Sequence, residues 1–281
     1  MRSDSSAARG FRASIVALVG VMALLAATVA PAAAQPPGPP AVPALSGLVT
    51  NACTGLPVTN GLSVAVAVID PATGAVGSPT KPPNPNFGFF AYRTLVPGGS
   101  YQLTVSAPGY TSLGADPTSP VGGSPGVTIM MPPGPPILPA GQAIAIGLLL
   151  DVRLVPTRLP TSCRPPGPPN FPALAGRVTD STTGLGVQGL IVGVAMIDPA
   201  TGALGSPQKP PNPNLGFFSY RTLVQGTYQL TIDAPGYTSL GVVGAPGVTL
   251  IMPPGPPVLP AGQIVNESLV VAVQMPPGPP V

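Results

Sequence analysis

The sequence contains no histidine and no tryptophan, and only 7% of its residues are charged. The absence of histidine removes the Ser-His-Asp and Cys-His arrangements of nucleophilic catalysis and the usual zinc ligand sets. The carboxylates are scattered along the chain, and the two that recur, Asp70 and Asp198, lie in predicted turns. Because no carboxylate pair is available for general acid and base work, we expect a protein that is not an enzyme and that uses no cofactor and no metal.

The first 34 residues have the layout of a secretory signal peptide. A cationic stretch with Arg2, Arg9 and Arg12 precedes an apolar segment at 15–30, and small residues lead up to Ala34. This segment is shorter than the roughly 20 residues that span a bilayer, which favours cleavage after Ala34 over an uncleaved anchor. We therefore expect a secreted or cell-envelope protein whose mature chain does not span the membrane.

Cleavage would also remove most of the excess positive charge. The sequence pI of about 9.1 includes the arginines of the signal peptide, and without them the chain is nearly neutral. A neutral chain offers no electrostatic surface for nucleic acid or for an anionic membrane, so neither partner is expected. The 36 glycines and 45 prolines stand beside 44% apolar residues, a composition that indicates folded domains with proline-rich loops.

The chain contains a domain-sized internal repeat. The run at 70–75 returns 128 residues later at 198–203, and four further runs return in the same order. A period of this length indicates a duplicated domain and not a solenoid of short repeats. The predicted boundaries are 44–156 for domain 1, 157–172 for a proline-rich linker and 173–275 for domain 2.

Within each copy the apolar residues alternate with a period of two. Val64 and Val66 share one face of a predicted buried strand, and the segment 189–197 takes the same place in copy 2. The turn that follows, at 70–74, combines an aspartate, a proline and a glycine. Further β-type runs in copy 1 cover 45–50, 87–95, 101–106, 127–131 and 143–155. Short strands separated by glycine and proline predict an all-β fold with a sandwich in each copy.

The order of the short motifs resembles the carboxypeptidase regulatory-like family. Copy 1 carries Gly47-Leu-Val49, Gly88-Phe-Phe90, Leu95, Gly99, Tyr101-Gln-Leu103 and Gly109-Tyr110, and copy 2 carries Gly176-Arg-Val178, Gly216-Phe-Phe218, Leu223, Gly226, Tyr228-Gln-Leu230 and Gly236-Tyr237. The resemblance implies two tandem transthyretin-like (prealbumin-like) Greek-key β-sandwich domains of about seven strands each, after the signal peptide. It also implies a spacer, stabiliser or binding module of an exported protein, without peptidase activity.

The two cysteines, Cys53 and Cys163, do not occupy equivalent positions of the repeat. Thr182 stands where Cys53 would recur, and Cys163 lies in the predicted linker. In an oxidising compartment a disulfide between them would tie the linker back to domain 1. Free or intermolecular thiols are the alternative.

Aromatic residues supply the candidate ligand-binding surface. They fall into two equivalent clusters, Phe87, Phe89, Phe90 and Tyr92 in copy 1, and Phe217, Phe218 and Tyr220 in copy 2. Such rings could stack on sugars, but alternation along a strand turns about half of them inward, so core packing is the competing interpretation. No individual carbohydrate-binding residue is assigned. An exposed, coplanar pair of rings repeated in both copies would favour sugar binding.

Two further repeated features have alternative interpretations. Lys81 and Lys209 are equivalent, and intramolecular Lys–Asn isopeptide bonds would require an apolar pocket around each amine. Their position beside Pro-Pro-Asn-Pro favours solvated loop lysines. The Met-Pro-Pro-Gly-Pro-Pro blocks at 131–136 and 252–257 are predicted to be rigid loops, with polyproline II ligands for a partner as the alternative.

The predicted function is that of an exported, non-catalytic structural or protein-interaction protein of the cell envelope or exterior. Its expected partner is an unidentified envelope or extracellular protein. The alternative is a carbohydrate-binding module that uses aromatic side chains of the sandwich, with a glycan as partner.

Overall fold

The structure is a computed structural model of the chain. The residues that it describes are 40–82, 85, 87–114, 126–136, 138, 141–158, 163, 172–211, 213–241, 247–253, 259 and 263–278. They belong to one compact unit. The predicted signal peptide and most of the predicted linker lie outside the described residues.

Twelve strands are described, six in each copy of the repeat. In copy 1 they are β1 (Leu45–Asn51), β2 (Ser63–Val68), β3 (Phe89–Tyr92), β4 (Ser100–Ser106), β5 (Val127–Met130) and β6 (Ala143–Leu154). In copy 2 they are β7 (Leu174–Asp180), β8 (Ile191–Met196), β9 (Phe217–Tyr220), β10 (Gly226–Asp233), β11 (Val248–Met252) and β12 (Ile264–Met275). Each predicted β-type run overlaps one strand, and the all-β class is confirmed. Among these residues we find no helix with the length and apolarity needed to cross a bilayer.

One six-stranded sheet runs through both copies in the order β3-β1-β6-β12-β7-β9. Each copy also has a three-stranded sheet, β2-β4-β5 in copy 1 and β11-β10-β8 in copy 2. Within the large sheet, β1 is parallel to β6 and β7 is parallel to β12, whereas β6 and β12 are antiparallel. The two halves of the large sheet are therefore related by an approximate twofold axis between β6 and β12.

Each copy has its own hydrophobic core. The core of copy 1 includes Leu45 and Leu148 from the large sheet and Leu103 from the small sheet. Their counterparts in copy 2 include Leu174 and Leu230. Because both sheets of a copy contribute to one core, each copy is a two-layer β-sandwich held together by apolar burial.

The paired glycine and phenylalanine motifs are explained by the contact between neighbouring strands. Gly47 of β1 is paired with Phe90 of β3, and Gly176 of β7 is paired with Phe218 of β9. A Cβ atom on Gly47 would lie 2.3 Å from Phe90 Cζ, and one on Gly176 would lie 2.1 Å from Phe218 Cζ. Each ring therefore covers its cross-strand glycine, and no larger residue fits beneath it.

The two copies interlock where β6 and β12 pair. Leu148 of β6 lies opposite Leu269 of β12. The residues that precede these leucines in each strand extend over the other copy. Ile144 of β6 belongs to the core of copy 2, and Val265 of β12 belongs to the core of copy 1. The sequence led us to expect two sandwiches joined by a linker, and the structure adds a shared sheet and exchanged core residues. The boundaries 44–156 and 173–275 stay a prediction.

Two glutamines fasten the exchanged segments. Gln142, just before β6, donates through Nε2 to the carbonyl oxygens of residues 238 and 239 in copy 2, each at 3.1 Å. Gln263, just before β12, donates in the same way to residues 111 and 112 in copy 1, at 2.8 and 3.2 Å. The exchange is thus reciprocal in its hydrogen bonds as well as in its core residues.

Candidate functional site

Four of the candidate aromatic residues lie inside the sandwiches. Phe90, Tyr92, Phe218 and Tyr220 are each no more than 5% exposed. Phe90 and Tyr92 meet edge to face with ring centroids 6.4 Å apart, and Phe218 and Tyr220 do so at 6.3 Å. The tyrosine hydroxyls donate to backbone carbonyls, at 3.0 Å from Tyr92 and 3.1 Å from Tyr220. These rings pack the cores and are neither exposed nor coplanar.

The other candidate rings differ between the copies. Phe87 is 69% exposed in the turn before β3, but leucine takes its place in copy 2, at Leu215. Phe89 is half-buried, whereas its counterpart Phe217 is 42% exposed and lies beneath the guanidinium of Arg177, 5.4 Å from the ring centroid. Among the described residues, no exposed aromatic pair recurs in both copies, so the feature that would favour sugar binding is not found there.

A buried polar cluster lies at the junction of β6 and β12. Asp151 Oδ2 accepts hydrogen bonds from Arg153 Nε and from Asn266 Nδ2, both at 3.3 Å. Asn266 is directly opposite Asp151 in the strand register, so the cluster joins the two copies. Burial raises the pKa of Asp151, and the charge and hydrogen bond of Arg153 offset part of that rise. The cluster links the strands through satisfied polar groups.

Glu267 of β12 is a half-buried acid close by. It lies opposite Leu150, a core residue of copy 1, and its Oε2 atom is buried with no hydrogen-bond partner among the described residues. Burial raises the pKa of Glu267 to about 7. The equivalent position of copy 1, Ile146, is apolar and packs against the core of copy 2. Glu267 therefore occupies a position that the fold otherwise gives to an aliphatic side chain.

Asp151 and Glu267 cannot work as a catalytic pair. Asp151 and Glu267 are opposite Asn266 and Leu150 respectively, and because neighbouring positions of a strand face opposite sides, the carboxylates point to different faces of the sheet. General acid and base catalysis requires both groups to reach one substrate. The described residues also contain no cluster of three or more Cys, Asp or Glu side chains placed to hold a metal ion.

The recurring aspartates hold turns together. The Oδ1 atom accepts backbone N–H groups two and three residues further on, at 2.8 and 3.0 Å for Asp70 and at 2.7 and 3.0 Å for Asp198. These hydrogen bonds lower the pKa of both carboxylates. Both side chains are exposed and serve the turn chemistry that the sequence predicted.

The tyrosines of the two Gly-Tyr motifs close each sandwich onto the end of its first strand. Asn51 Nδ2 donates to Tyr110 Oη at 3.1 Å, and in copy 2 the Tyr237 hydroxyl donates to Asp180 Oδ2 at 3.0 Å. Burial opposes ionisation of Asp180, but hydrogen bonds from the backbone and from Tyr237 outweigh it and lower the pKa. The same contact is thus made with an amide in one copy and a carboxylate in the other.

The cysteines lie beside this closure in copy 1. The Sγ atoms of Cys53 and Cys163 are 1.97 Å apart and their Cα atoms 4.9 Å apart, so the two residues are placed for a disulfide. The Cys53 N–H donates to Asn51 Oδ1 at 2.7 Å. A bond here would attach the segment that follows β6 to the turn that follows β1.

The remaining repeated features are at the surface. Lys81 and Lys209 are both exposed, outside the apolar pocket that an isopeptide bond requires. In the block at 131–136, Met131 is buried and residues 134–136 are exposed. Most of the block at 252–257 lies outside the described residues.

Sequence reasoning missed the two glutamines that fasten the exchange. A signal was present, because both copies carry Leu-Pro-Ala-Gly-Gln directly before their long final strand, at 138–142 and 259–263. It also missed that Glu267 faces the core of copy 1, although the repeat shows a charged residue there in place of Ile146.

Comparisons with known proteins found similarity to solved structures alone. No protein family and no curated protein matches the chain. The chain is similar to a Streptococcal ancillary pilin, with 15% sequence identity and a TM-score of 0.26, over 84% of this chain and 62% of that chain. It is also similar to the shaft pilin SpaA from Lactobacillus rhamnosus GG, with 10% identity and a TM-score of 0.23, over 84% of this chain and 97% of that chain.

Proposed function

We propose that the chain is an exported, non-catalytic structural or protein-interaction protein of the cell envelope or exterior. The observation that carries the proposal is the interlocking of the two copies through β6 and β12. Two sandwiches that share one sheet and exchange core residues form a stiff body without a hinge between them. Stiffness of this kind suits a structural element, whereas enzymes commonly need a lid or domain motion around a cleft.

The chemistry of the described residues supports the non-catalytic part. The turn aspartates, the Asp151 cluster and the closing tyrosines are all engaged in contacts that hold strands or turns. We further infer that each copy is a carboxypeptidase regulatory-like domain. The pairing of Gly47 with Phe90, repeated in copy 2, supports this because it gives the family's spaced glycine and phenylalanine motifs a shared packing role.

Fractionation of the producing cells tests the proposal directly. We expect the chain in the envelope or medium, beginning at Gln35. Its mass should be two hydrogens below that of the reduced protein, as the proposed disulfide between Cys53 and Cys163 requires. A cytoplasmic chain that retains residues 1–34 would overturn the export part. Chemical cross-linking on intact cells should then join the chain to another protein.

A glycan array distinguishes the alternative. We expect no binding by the mature chain. Phe90 and Tyr92 pack the core with their counterparts in copy 2, and no exposed aromatic pair recurs among the described residues. The control is Phe217→Ser, which removes the outward-facing ring of β9. This ring is 42% exposed, whereas its counterpart Phe89 is half-buried. Binding that this substitution abolishes would replace the structural proposal with a carbohydrate-binding one.

A further inference from the structure

The contact between the copies has the form of a symmetric self-association. Leu148 and Leu269 hold equivalent positions, since Leu148 is paired with Leu45 in copy 1 and Leu269 with Leu174 in copy 2. The same two leucines are also opposite each other across the β6–β12 contact. Each copy therefore presents the same surface to the other, as subunits do in a twofold-symmetric dimer.

The contacts that each copy makes with the other are reciprocal. Gln142 hydrogen-bonds the loop after the Gly-Tyr motif of copy 2, and Gln263 hydrogen-bonds the equivalent loop of copy 1. Leu138 and Ile144 pack against the core of copy 2. In return, Leu259 and Val265 pack against the core of copy 1. Each core is thus completed by a segment that belongs to the other copy.

We propose that this exchange surface also joins different molecules, so that copy 1 of one chain pairs through β6 with β12 of another. The contacts on the described residues are made between the two copies and are the same whether or not those copies share a chain. Within one chain the covalent connection adds only a high effective concentration of the partner copy. A chain that exchanges copy 1 with one neighbour still offers copy 2. It can pair that copy with the same neighbour, which closes a dimer, or with a further chain, which extends a linear assembly.

The exchange surface formed by β6 and β12 fits a second copy of this chain. The register runs without interruption over eleven residue pairs, from Ile264 opposite Arg153 to Gln274 opposite Ala143. Shifting the register by one residue would turn the exchanged core residues to the wrong face. The low charge of the chain, 7% of its residues, also leaves little electrostatic repulsion to oppose self-association.

The protein concentration during folding decides whether the two copies pair within one chain or between different chains. A folded monomer must break the long β6–β12 ladder before it can exchange, so conversion between the forms is slow once folding is complete. Exchanged assemblies should therefore form when many chains fold together, and should persist after dilution. This inference shares the β6–β12 contact with the function proposed above, but a wild type that stays monomeric overturns the inference alone.

The test compares two mature chains, each unfolded in denaturant without reductant and refolded at several concentrations. One is the wild type, and the other carries Leu149→Cys and Ser268→Cys, positions that are opposite each other in the register. Oxidation of the folded double variant as a monomer should bridge the two copies. Because the bridge keeps both copies together in denaturant, this chain cannot exchange them and serves as a matched control.

We expect the wild type to give masses at whole-number multiples of the monomer by light scattering. Their fraction should rise severalfold from about 1 to about 100 μM protein, since exchange within a chain competes with exchange between chains. The bridged variant should remain monomeric throughout. A wild type that stays monomeric overturns the proposal, and so does equal oligomerisation of both chains. If the two introduced cysteines do not form a disulfide, the register between β6 and β12 is different. That result would also overturn the proposal.

Discussion

Individual glycines decide which residues can pack across neighbouring strands in this protein. At Gly176 the ring of Phe218 occupies the space in which a side chain would begin, with Cζ 2.1 Å from an ideal Cβ. We expect Gly176→Ala to lower the free energy of unfolding by about 1–3 kcal/mol, the usual cost of overpacking a core. Urea denaturation measures this. The control is Gly77→Ala, where among the described residues a Cβ would meet only the Val68 carbonyl oxygen, at 3.4 Å. Equal effects at the two positions would contradict the packing argument.

The turn before β9 contains an unfavourable residue. Leu215 has φ of 50° and Gly216 has φ of 85°, and Asn214 and Phe217 exchange backbone hydrogen bonds around them at 2.8 and 3.0 Å. Two-residue turns with positive φ at both positions favour Asn-Gly. Since leucine is strained there, we expect Leu215→Asn to stabilise the protein by about 1 kcal/mol.

Thermal and urea denaturation of Leu215→Asn should be compared with Leu185→Asn. Leu185 is 69% exposed and Leu215 58%, so neither substitution removes much buried apolar surface. Leu185 is not among the residues with positive φ, so its replacement should change stability by less than about 0.5 kcal/mol. If both variants behave alike, backbone strain at Leu215 is not the cause.

Glu267 should make stability depend on pH. Burial raises its pKa from the ordinary 4.5 to about 7, so the folded chain holds a proton where the unfolded chain has lost it. The free energy of unfolding therefore falls as pH rises through this range, by at most about 3 kcal/mol. We expect Glu267→Gln to flatten this dependence and to be more stable than the wild type above pH 7. Urea denaturation at intervals from about pH 4.5 to 8 measures both.

The difference in pH dependence between the wild type and Glu267→Gln separates the contribution of Glu267 from that of the other acids. Burial also raises the pKa of Asp151, but Asp151 is present in both chains. Asp70 and Asp198 have lowered pKa values and contribute in the acid range below it. Parallel pH curves for wild type and Glu267→Gln between pH 4.5 and 7 would contradict the burial argument.

At the scale of strands, the sequence predicted where each strand lies but not which strand it pairs with. The run at 143–155 was predicted as one strand of domain 1, and in the structure its second half pairs with β1 while its first half extends over copy 2. A period of two shows which residues share a face, and it carries no information about the neighbouring strand. Strand length was the usable signal, because β6 and β12 have 12 residues each and the other strands have 4 to 8.

The exchanged residues predict that a substitution in one copy weakens the other. Ile144 is 7% exposed and lies in the core of copy 2, although it belongs to β6 of copy 1. We expect Ile144→Ala to cost about 2–5 kcal/mol, as other large-to-small changes in cores do. Hydrogen exchange should show the loss of protection in β8 and β10 of copy 2. Ile264→Ala is the control, because Ile264 is only half-buried and belongs to neither core cluster. Loss of protection confined to copy 1 would contradict the exchange.

At the scale of the molecule, the exchange determines how the protein unfolds. Two sandwiches joined only by a flexible connection unfold independently, and each gives its own heat-capacity peak. Here neither copy can unfold without removing Ile144 or Val265 from the core of the other. We therefore expect one transition whose calorimetric enthalpy equals its van't Hoff enthalpy.

Calorimetry of the mature chain and of its Gln263→Ala variant tests whether unfolding is a single transition. Gln263 donates two hydrogen bonds to copy 1, so its loss should lower the stability by about 1–3 kcal/mol and move the transition to lower temperature. Because β6 and β12 remain paired along their length, the transition should stay single in the variant. Two peaks in the wild type would mean that the copies fold separately and that the shared sheet adds little stability. Two peaks only in Gln263→Ala would instead show that this glutamine is the main coupling between the cores.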